Sequence, residues 1–243
     1  LTDSPELKLR LFKNDGKGNF TLDDAALPVT GMNISVAIAN DFNNDGYADL
    51  FIGARSFPGV YGKDPQSYLF VNDGKGHFTD MAKTKNANIS NIGMVTGAAL
   101  ADFSGYKQKE LIIVGELIAP WIFSFNKYHF DELKSDLSEK YGWYQTVTTA
   151  DINNDGYEDI FVSEMLPEDY ERSKVSMPSM DVPGFNAIVN AGMHKQYMHN
   201  ALHLNQGNLF FSEISQMSGV AKTEWSWSVL MSDFDNDGNR DIF

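Results

Sequence analysis

Three short acidic loops carry the residues whose types and spacing most clearly indicate chemistry. Each loop has the form Asp-x-Asn/Asp-x-Asp-Gly-x-x-Asp, and the three lie at residues 41–49, 151–159 and 233–241. Alternate positions of a tight loop direct their oxygens at one centre, and calcium takes six to eight oxygen ligands. The pattern therefore predicts calcium binding, with two to three Ca²⁺ ions on the chain.

The predicted ligands occupy the same five positions in every loop. They are the side chains at positions one, three, five and nine and the main-chain carbonyl at position seven, and the glycine at position six allows the turn. These residues are Asp41, Asn43, Asp45, Tyr47 and Asp49, then Asp151, Asn153, Asp155, Tyr157 and Asp159, and last Asp233, Asp235, Asp237, Asn239 and Asp241.

The residues after each loop distinguish it from an EF-hand. An EF-hand needs a bidentate glutamate at position twelve and a following helix, whereas position twelve here is Ile52 or Val162, within an apolar β-run. A degenerate copy at residues 102–110 lacks the central carboxylate and contains Lys107 and Lys109. We predict no ion there, with a lysine ammonium neutralising the two acidic ends of the loop.

The elements that must position these loops form a repeat. Each loop precedes an apolar strand and alternates with a hairpin signal such as Asn72-Asp73-Gly74, in which glycine allows positive φ. Four such units in 243 residues give about 60 residues each, enough for four short strands. We predict an all-β fold of antiparallel four-stranded β-propeller blades, in approximate units 1–60, 61–120, 121–200 and 201–243; the alternative is a β-sandwich.

One segment, at about residues 165–199, interrupts this rhythm. It contains Pro167, Pro178 and Pro183, and its end, Phe185 to Tyr197, has the composition of a short helix. We interpret it as an excursion between blades on one face. Loops of this kind commonly carry partner contacts.

Composition limits the classes of partner. The formal charge is −14, which disfavours nucleic acid and anionic membrane surfaces. The chain has no cysteine, and its most apolar stretch, residues 111–123, is too short to cross a bilayer as a helix. Residues 1–5 do not resemble a signal peptide, and the chain stops within a repeat, so we expect it to be a piece of a longer protein.

The loops and hairpins together resemble FG-GAP or VCBS repeats, which build seven-bladed propellers such as integrin α-subunit heads. More specifically, the chain is similar to bacterial surface proteins of the ASPIC/UnbV group, related to cartilage acidic protein. The motifs that carry this similarity are Ala26-Leu27-Pro28, Phe51-Ile52-Gly53-Ala54-Arg55, Asn91-Ile92-Gly93-Met94-Val95-Thr96, Met165-Leu166-Pro167-Glu168-Asp169 and Trp225-Ser226-Trp227-Ser228.

Two departures accompany this resemblance. The segment 165–243 usually precedes segments like 1–144 in that group, and only about four blades are present where the resemblance implies about seven. An open four-bladed arc would expose sheet faces that blades normally bury on one another. We therefore expect further blades or a partner to cover those faces.

The resemblance implies a calcium-stabilised extracellular or cell-surface module, associated with the bacterial outer membrane. Its expected partner is a protein or glycan, or a membrane-protein assembly of which the chain is one subunit, without insertion into the membrane. We predict no catalytic residues. The alternative is a propeller-fold lyase or hydrolase, for which the candidates are His194, His199 and His203, an acidic patch of Glu164, Glu168, Asp169 and Glu171, and a sugar platform of Trp121, Trp143, Tyr144, Trp225 and Trp227.

Overall fold

The structure, a computed structural model, describes residues 4–127, 129–140, 145–176 and 181–243. The chain divides into two compact units. The first comprises Leu1–Val95 and Phe125–Phe130, and the second comprises Thr96–Ser124 and Asp131–Phe243.

The first unit begins with a hairpin and continues into a four-stranded sheet. The hairpin pairs β1 (Leu11–Asn14) with β2 (Phe20–Asp23). The sheet is antiparallel and follows chain order: β3 (Asn33–Asn40), β4 (Asp49–Ser56), β5 (Tyr68–Asn72) and β6 (Phe78–Asp80). Two short helices follow it, α1 (Ala82–Lys85) and α2 (Ala87–Ser90).

A second four-stranded sheet uses the next four strands. These are β7 (Met94–Ala101), β8 (Glu110–Glu116), β9 (Trp121–Asn126) and β10 (His129–Leu133). Every residue of β8 is buried. A run of branched apolar residues, Leu111 to Val114, suits such a central strand because both of its faces are covered.

The third sheet contains β11 (Thr146–Ala150), β12 (Asp159–Ser163), β14 (Ala201–Asn205) and β15 (Phe211–Glu213). The chain leaves it after β12 and forms β13 (Met165–Leu166), α3 (Tyr170–Ser176) and α4 (Val182–Asn190) before returning to β14. After β15 come α5 (Ser215–Ser218), β16 (Glu224–Trp225), which pairs with β13, and the pair β17 (Met231–Ser232) and β18 (Asp241–Ile242).

The three sheets share one plan. An acidic loop, or in the second sheet its degenerate copy, joins the first two strands of each sheet, and in the first and third sheets a short hairpin turn joins the last two strands. The predicted all-β fold of four-stranded antiparallel sheets is therefore confirmed. The arrangement of these sheets as propeller blades, and the predicted repeat units, stay predictions.

The helix expected near the end of the excursion is displaced. It runs from Val182 to Asn190 and not from Phe185 to Tyr197, because the Asp181 carboxylate accepts a hydrogen bond from the Gly184 main chain (3.1 Å) and caps an earlier start. Gly192, at φ +79°, follows its end. None of the described helices has the length and apolar character needed to cross a membrane.

Candidate metal-binding loops

The first residue of each acidic loop fixes the turn through its two carboxylate oxygens. Asp41 Oδ1 accepts from the main-chain nitrogen of Asp45 (3.0 Å), and Asp41 Oδ2 accepts from that of Gly46 (2.8 Å). Asp151 and Asp233 accept from the matching nitrogens of their own loops at 2.8–3.0 Å. Three separate segments of sequence therefore fold into the same turn.

The side chains of the third and fifth residues of the loop lie next to each other. Asn43 Oδ1 accepts from the main-chain nitrogen of Asp45 (2.8 Å), which Asp41 also contacts, and Asn43 Nδ2 donates to Asp45 Oδ2 (2.9 Å). The second loop repeats this with Asn153 and Asp155. The structure thus brings the predicted ligands at positions one, three and five together.

The third loop concentrates the most negative charge. Asp233, Asp235 and Asp237 each place a carboxylate oxygen within 4.8 Å of the others. Main-chain and side-chain hydrogen bonds from Asn239 lower the pKa of Asp237, so this group keeps its charge in the cluster. Such an arrangement of like charges favours a divalent cation as its counter-ion.

Two positions in each loop need left-handed backbone. Gly46, Gly156 and Gly238 have φ of +90° to +91°. Two residues earlier, Asn44, Asn154 and Asn236 have φ of +58° to +62°, a conformation that asparagine tolerates better than most residues. The glycines were predicted from the sequence, whereas the asparagines were missed, although Asn repeats at this position in all three loops.

The ninth residue ties its loop to a third strand. Asp49 is fully buried; its Oδ2 accepts from the Phe42 main chain (3.1 Å) and its Oδ1 from that of Asn72 at the end of β5 (2.9 Å). Asp159 is held in the same way by Ile152 (2.9 Å) and Asn205 (2.8 Å). The ninth aspartate, at the start of its own strand, therefore connects the loop to the end of the third strand of its sheet, a role that the loop motif alone does not indicate.

Burial raises the pKa of the two ninth-position aspartates, Asp49 and Asp159. Desolvation raises the pKa of Asp49, and it raises the pKa of Asp159 to about 6, against the opposing effect of the two main-chain donors at each carboxylate. The neighbouring loop carboxylates raise both values further. A cation in the loop would offset these costs and favour the ionised form.

The seventh residue packs against glycine in the first two loops. A Cβ on Gly74, in the β5–β6 hairpin, would lie 2.6 Å from the Tyr47 ring. The Tyr157 ring lies against Gly207 in the β14–β15 hairpin and against Gly105, where added Cβ atoms would be 3.3 Å and 2.9 Å away. These glycines leave room for the tyrosines, which adds a contact between each loop and the hairpin of its own sheet.

The donor set fits calcium. Carboxylate, amide and carbonyl oxygens are the ligands of a hard cation, and the chain contains no cysteine to supply the sulfur that zinc or copper often takes. Positions one, three and five converge in all three loops of the structure. The assignment of the fifteen residues as ligands, including the position-seven carbonyls, stays a prediction.

Comparison with known proteins supports the repeat. Residues 41–113 match the family model of the FG-GAP-like repeat. This range contains the first acidic loop, strands β4, β5 and β6 of the first sheet, and the degenerate loop. No curated protein matches the chain.

Two similar solved structures come from longer proteins. The biofilm matrix protein Bap1 of V. cholerae aligns over 88% of this chain with 16% identity and a TM-score of 0.43. A rhamnogalacturonan lyase, PL11, of Bacillus licheniformis aligns over 53% with 17% identity and a TM-score of 0.32. The chain spans 28% of the length of each. At these scores neither similarity supports a functional inference.

In the degenerate loop at residues 102–110, main-chain N–H groups and one hydroxyl donate to the two acidic side chains. Asp102 accepts from the main-chain nitrogens of Gly105 and Lys107, each at 2.7 Å, and Glu110 accepts from that of Phe103 (2.8 Å) and from the Ser104 hydroxyl (2.5 Å). Across the described residues no lysine ammonium pairs with Asp102 or Glu110. The predicted neutralisation by lysine is therefore wrong, because N–H and O–H donors serve that purpose. The absence of an ion there stays a prediction.

The other candidate residues do not assemble into a second site. His203 is buried on β14 and His199 Nδ1 contacts the Asn200 carbonyl (2.8 Å), and within the described ranges only the third loop groups residues as a metal site does. Glu164 is buried, whereas Glu168, Asp169 and Glu171 are exposed. Trp121 is partly buried and Trp225 and Trp227 are exposed, but Trp143 and Tyr144 lie outside the described residues.

Proposed function

We propose that this chain is a calcium-stabilised module of an extracellular or cell-surface protein, which binds a protein or a glycan. One observation carries the proposal: three separate segments form the same oxygen-rich turn at the entry to a strand. The FG-GAP-like match over residues 41–113 supports it. The finer assignments, to propeller blades, to the ASPIC/UnbV group and to the bacterial outer membrane, belong to the same proposal.

The residues of the chain explain how an ion would stabilise the fold. When bound, calcium supplies positive charge to the clustered carboxylates. Asp49 and Asp159 then transmit this stabilisation, because each joins its loop to the end of the third strand in its sheet. An ion that binds only the folded chain stabilises it by about 2.7 kcal/mol per site at one hundred times its Kd.

Thermal unfolding with and without calcium tests this proposal. We expect the Tm of the chain to be several degrees higher in millimolar CaCl₂ than in EGTA, and expect the difference to vanish in a variant carrying Asp45→Ala, Asp155→Ala and Asp237→Ala. Magnesium at the same concentration controls for ionic strength. Equal Tm values in calcium and EGTA would contradict the proposal.

The excursion at residues 165–199 is the proposed partner-binding segment. Several of its apolar side chains are exposed, among them Tyr170 (70%), Val175 (87%) and Val182 (52%). The Gln196 amide donates to the Gly115 carbonyl (3.0 Å), which anchors the end of the segment inside the second unit.

Removal of the excursion tests this part of the proposal. Replacing residues 168–192 by a short Gly-Ser linker should abolish capture of surface proteins or glycans while the calcium-dependent rise in Tm remains. Loss of both would mean that the segment has a structural role only.

The alternative of a lyase or hydrolase finds no support in the acidic patch, since Asp169 there accepts from the Arg172 main chain (2.7 Å) at the start of α3.

A further inference from the structure

Asn154 joins the second acidic loop to the third. Its side-chain nitrogen lies 3.3 Å from the Gly238 carbonyl oxygen and 3.3 Å from Asn239 Oδ1. Asn154 itself stands between two predicted ligands, Asn153 and Asp155. One side chain of the second loop is therefore hydrogen-bonded to both the main chain and a side chain of the third.

Asn239 extends this connection to the carboxylates of the third loop. Its side-chain nitrogen donates to Asp237 Oδ2 (3.0 Å) and its main-chain nitrogen donates to Asp237 Oδ1 (2.7 Å). The first two loops have tyrosine at this position, with a ring that packs on glycine. A polar path from Asn154 through Asn239 to Asp237 is thus specific to the pair formed by the second and third loops.

We propose that Asn154 is a positioning residue that couples calcium binding in these two loops, so that an ion in either one raises the affinity of the other. The inference rests on the proposed calcium function. The third loop is exposed from Phe234 to Arg240, so hydrogen bonds such as those of Asn154 and Asn239, and not burial, hold its backbone in place. An ion in the second loop fixes Asn154, and Asn154 then holds Asn239 and Asp237 in place before the second ion arrives. By thermodynamic linkage, an ion in the third loop raises the calcium affinity of the second loop by the same factor.

Isothermal titration calorimetry measures this coupling directly. The first loop is silenced throughout by Asp41→Ala and Asp45→Ala, and calcium is titrated into chains whose second loop is intact or silenced by Asp151→Ala and Asp155→Ala. Silencing the second loop should weaken calcium binding by the third at least about five-fold, the lower end of typical coupling. With Asn154→Gly, which permits the same φ, silencing should change that affinity less than about two-fold.

Two further variants make the test specific. Asn239→Tyr gives the third loop the residue found in the other two and removes the side-chain acceptor, while the Gly238 carbonyl still accepts from Asn154. It should therefore reduce the coupling, and Asn154→Gly should reduce it further. Asn44→Gly changes the equivalent residue of the first loop. In chains that keep Asp41 and Asp45, with the second loop intact or silenced as before, it should leave the coupling between the second and third loops unaltered. Circular dichroism confirms that each variant is folded.

The outcomes separate the two proposals. If silencing the second loop weakens the third equally with and without the Asn154 amide, the role of Asn154 is refuted. If calcium binds the second and third loops independently, coupling is refuted while the calcium function stands. If no loop of the unaltered chain binds calcium, both proposals fail.

Discussion

At the scale of single residues, the same aspartate motif combines two different roles. Positions one, three and five are partly or fully exposed, apart from the buried Asn43, and converge by local hydrogen bonds, whereas the ninth aspartate of the first two loops is buried and joins strands. The local turns follow from the spacing of Asp, Asn and Gly, so sequence predicted them. The partners Asn72 and Asn205 lie 23 and 46 residues from their aspartates, and no local pattern identifies them.

Replacement of Asp49 separates the structural role from the metal role. In EGTA, Asp49→Ala should lower the free energy of unfolding by about 2–4 kcal/mol, because it leaves the buried main-chain N–H group of Phe42 and the partly buried one of Asn72 without acceptors. Asp45→Ala should have little effect in EGTA and should instead reduce the gain in stability on adding calcium. Urea unfolding of both variants in each buffer measures the difference; equal losses in EGTA would contradict the distinction.

A buried histidine should make the second unit sensitive to acid. His203 is 1% exposed, neither ring nitrogen has a hydrogen-bond partner among the described residues, and burial lowers its pKa to about 4. Because the pKa in the folded chain lies below the unfolded value of about 6.5, the stability that His203 contributes is complete above pH 6.5 and decreases as the pH falls toward 4. The shift corresponds to about 3 kcal/mol.

The variant His203→Leu isolates this contribution. In EGTA, the difference in the free energy of unfolding between this variant and the unaltered chain should favour the variant more at pH 4.5 than at pH 7.5. At pH 4.5 the histidine is protonated in the unfolded chain and resists protonation in the folded one, which lowers the stability of the unaltered chain, whereas leucine does not titrate. Urea unfolding at the two pH values gives the difference. A variant whose advantage is the same at both would show that His203 does not carry the acid sensitivity.

At the scale of elements, sequence located the strands better than the contacts between them. The hairpin predicted at Asn72 forms, and similar hairpins form at Asn14 and Asn205, because their turns need only local glycine and asparagine. The start of α4, the ring of Tyr157 between Gly105 and Gly207, and the donors to Asp102 were missed. Each depends on a cap or a close approach that hydrophobic periodicity does not encode.

Gly53 in β4 illustrates such an approach. An added Cβ would lie 2.6 Å from Val95 Cγ1 and 2.7 Å from Val36 Cγ1, closer than real side chains come. Gly53→Ala should therefore destabilise the first unit by about 1–3 kcal/mol. Urea unfolding of Gly53→Ala, Val95→Ala and the double variant should show partial rescue in the double variant; strictly additive losses would contradict steric crowding at this contact.

At the scale of the whole molecule, each compact unit has its own candidate calcium sites. The first loop lies in the unit that begins the chain, and the second and third loops lie in the other. Since the ninth aspartates connect strands within their own sheets, the stabilising effect of each ion should be greatest in the sheet that contains its loop.

Hydrogen exchange measured by mass spectrometry distinguishes these local effects. In the unaltered chain, calcium should slow amide exchange in β3–β6 and in β11–β15. Silencing the first loop with Asp41→Ala and Asp45→Ala should remove the protection of β3–β6 and leave most of that in β11–β15, because amide exchange reports the local free energy of opening. The reciprocal variant, Asp151→Ala with Asp155→Ala, should do the reverse. Equal loss of protection in both sheets with either variant would mean that the ions stabilise the chain as one cooperative body.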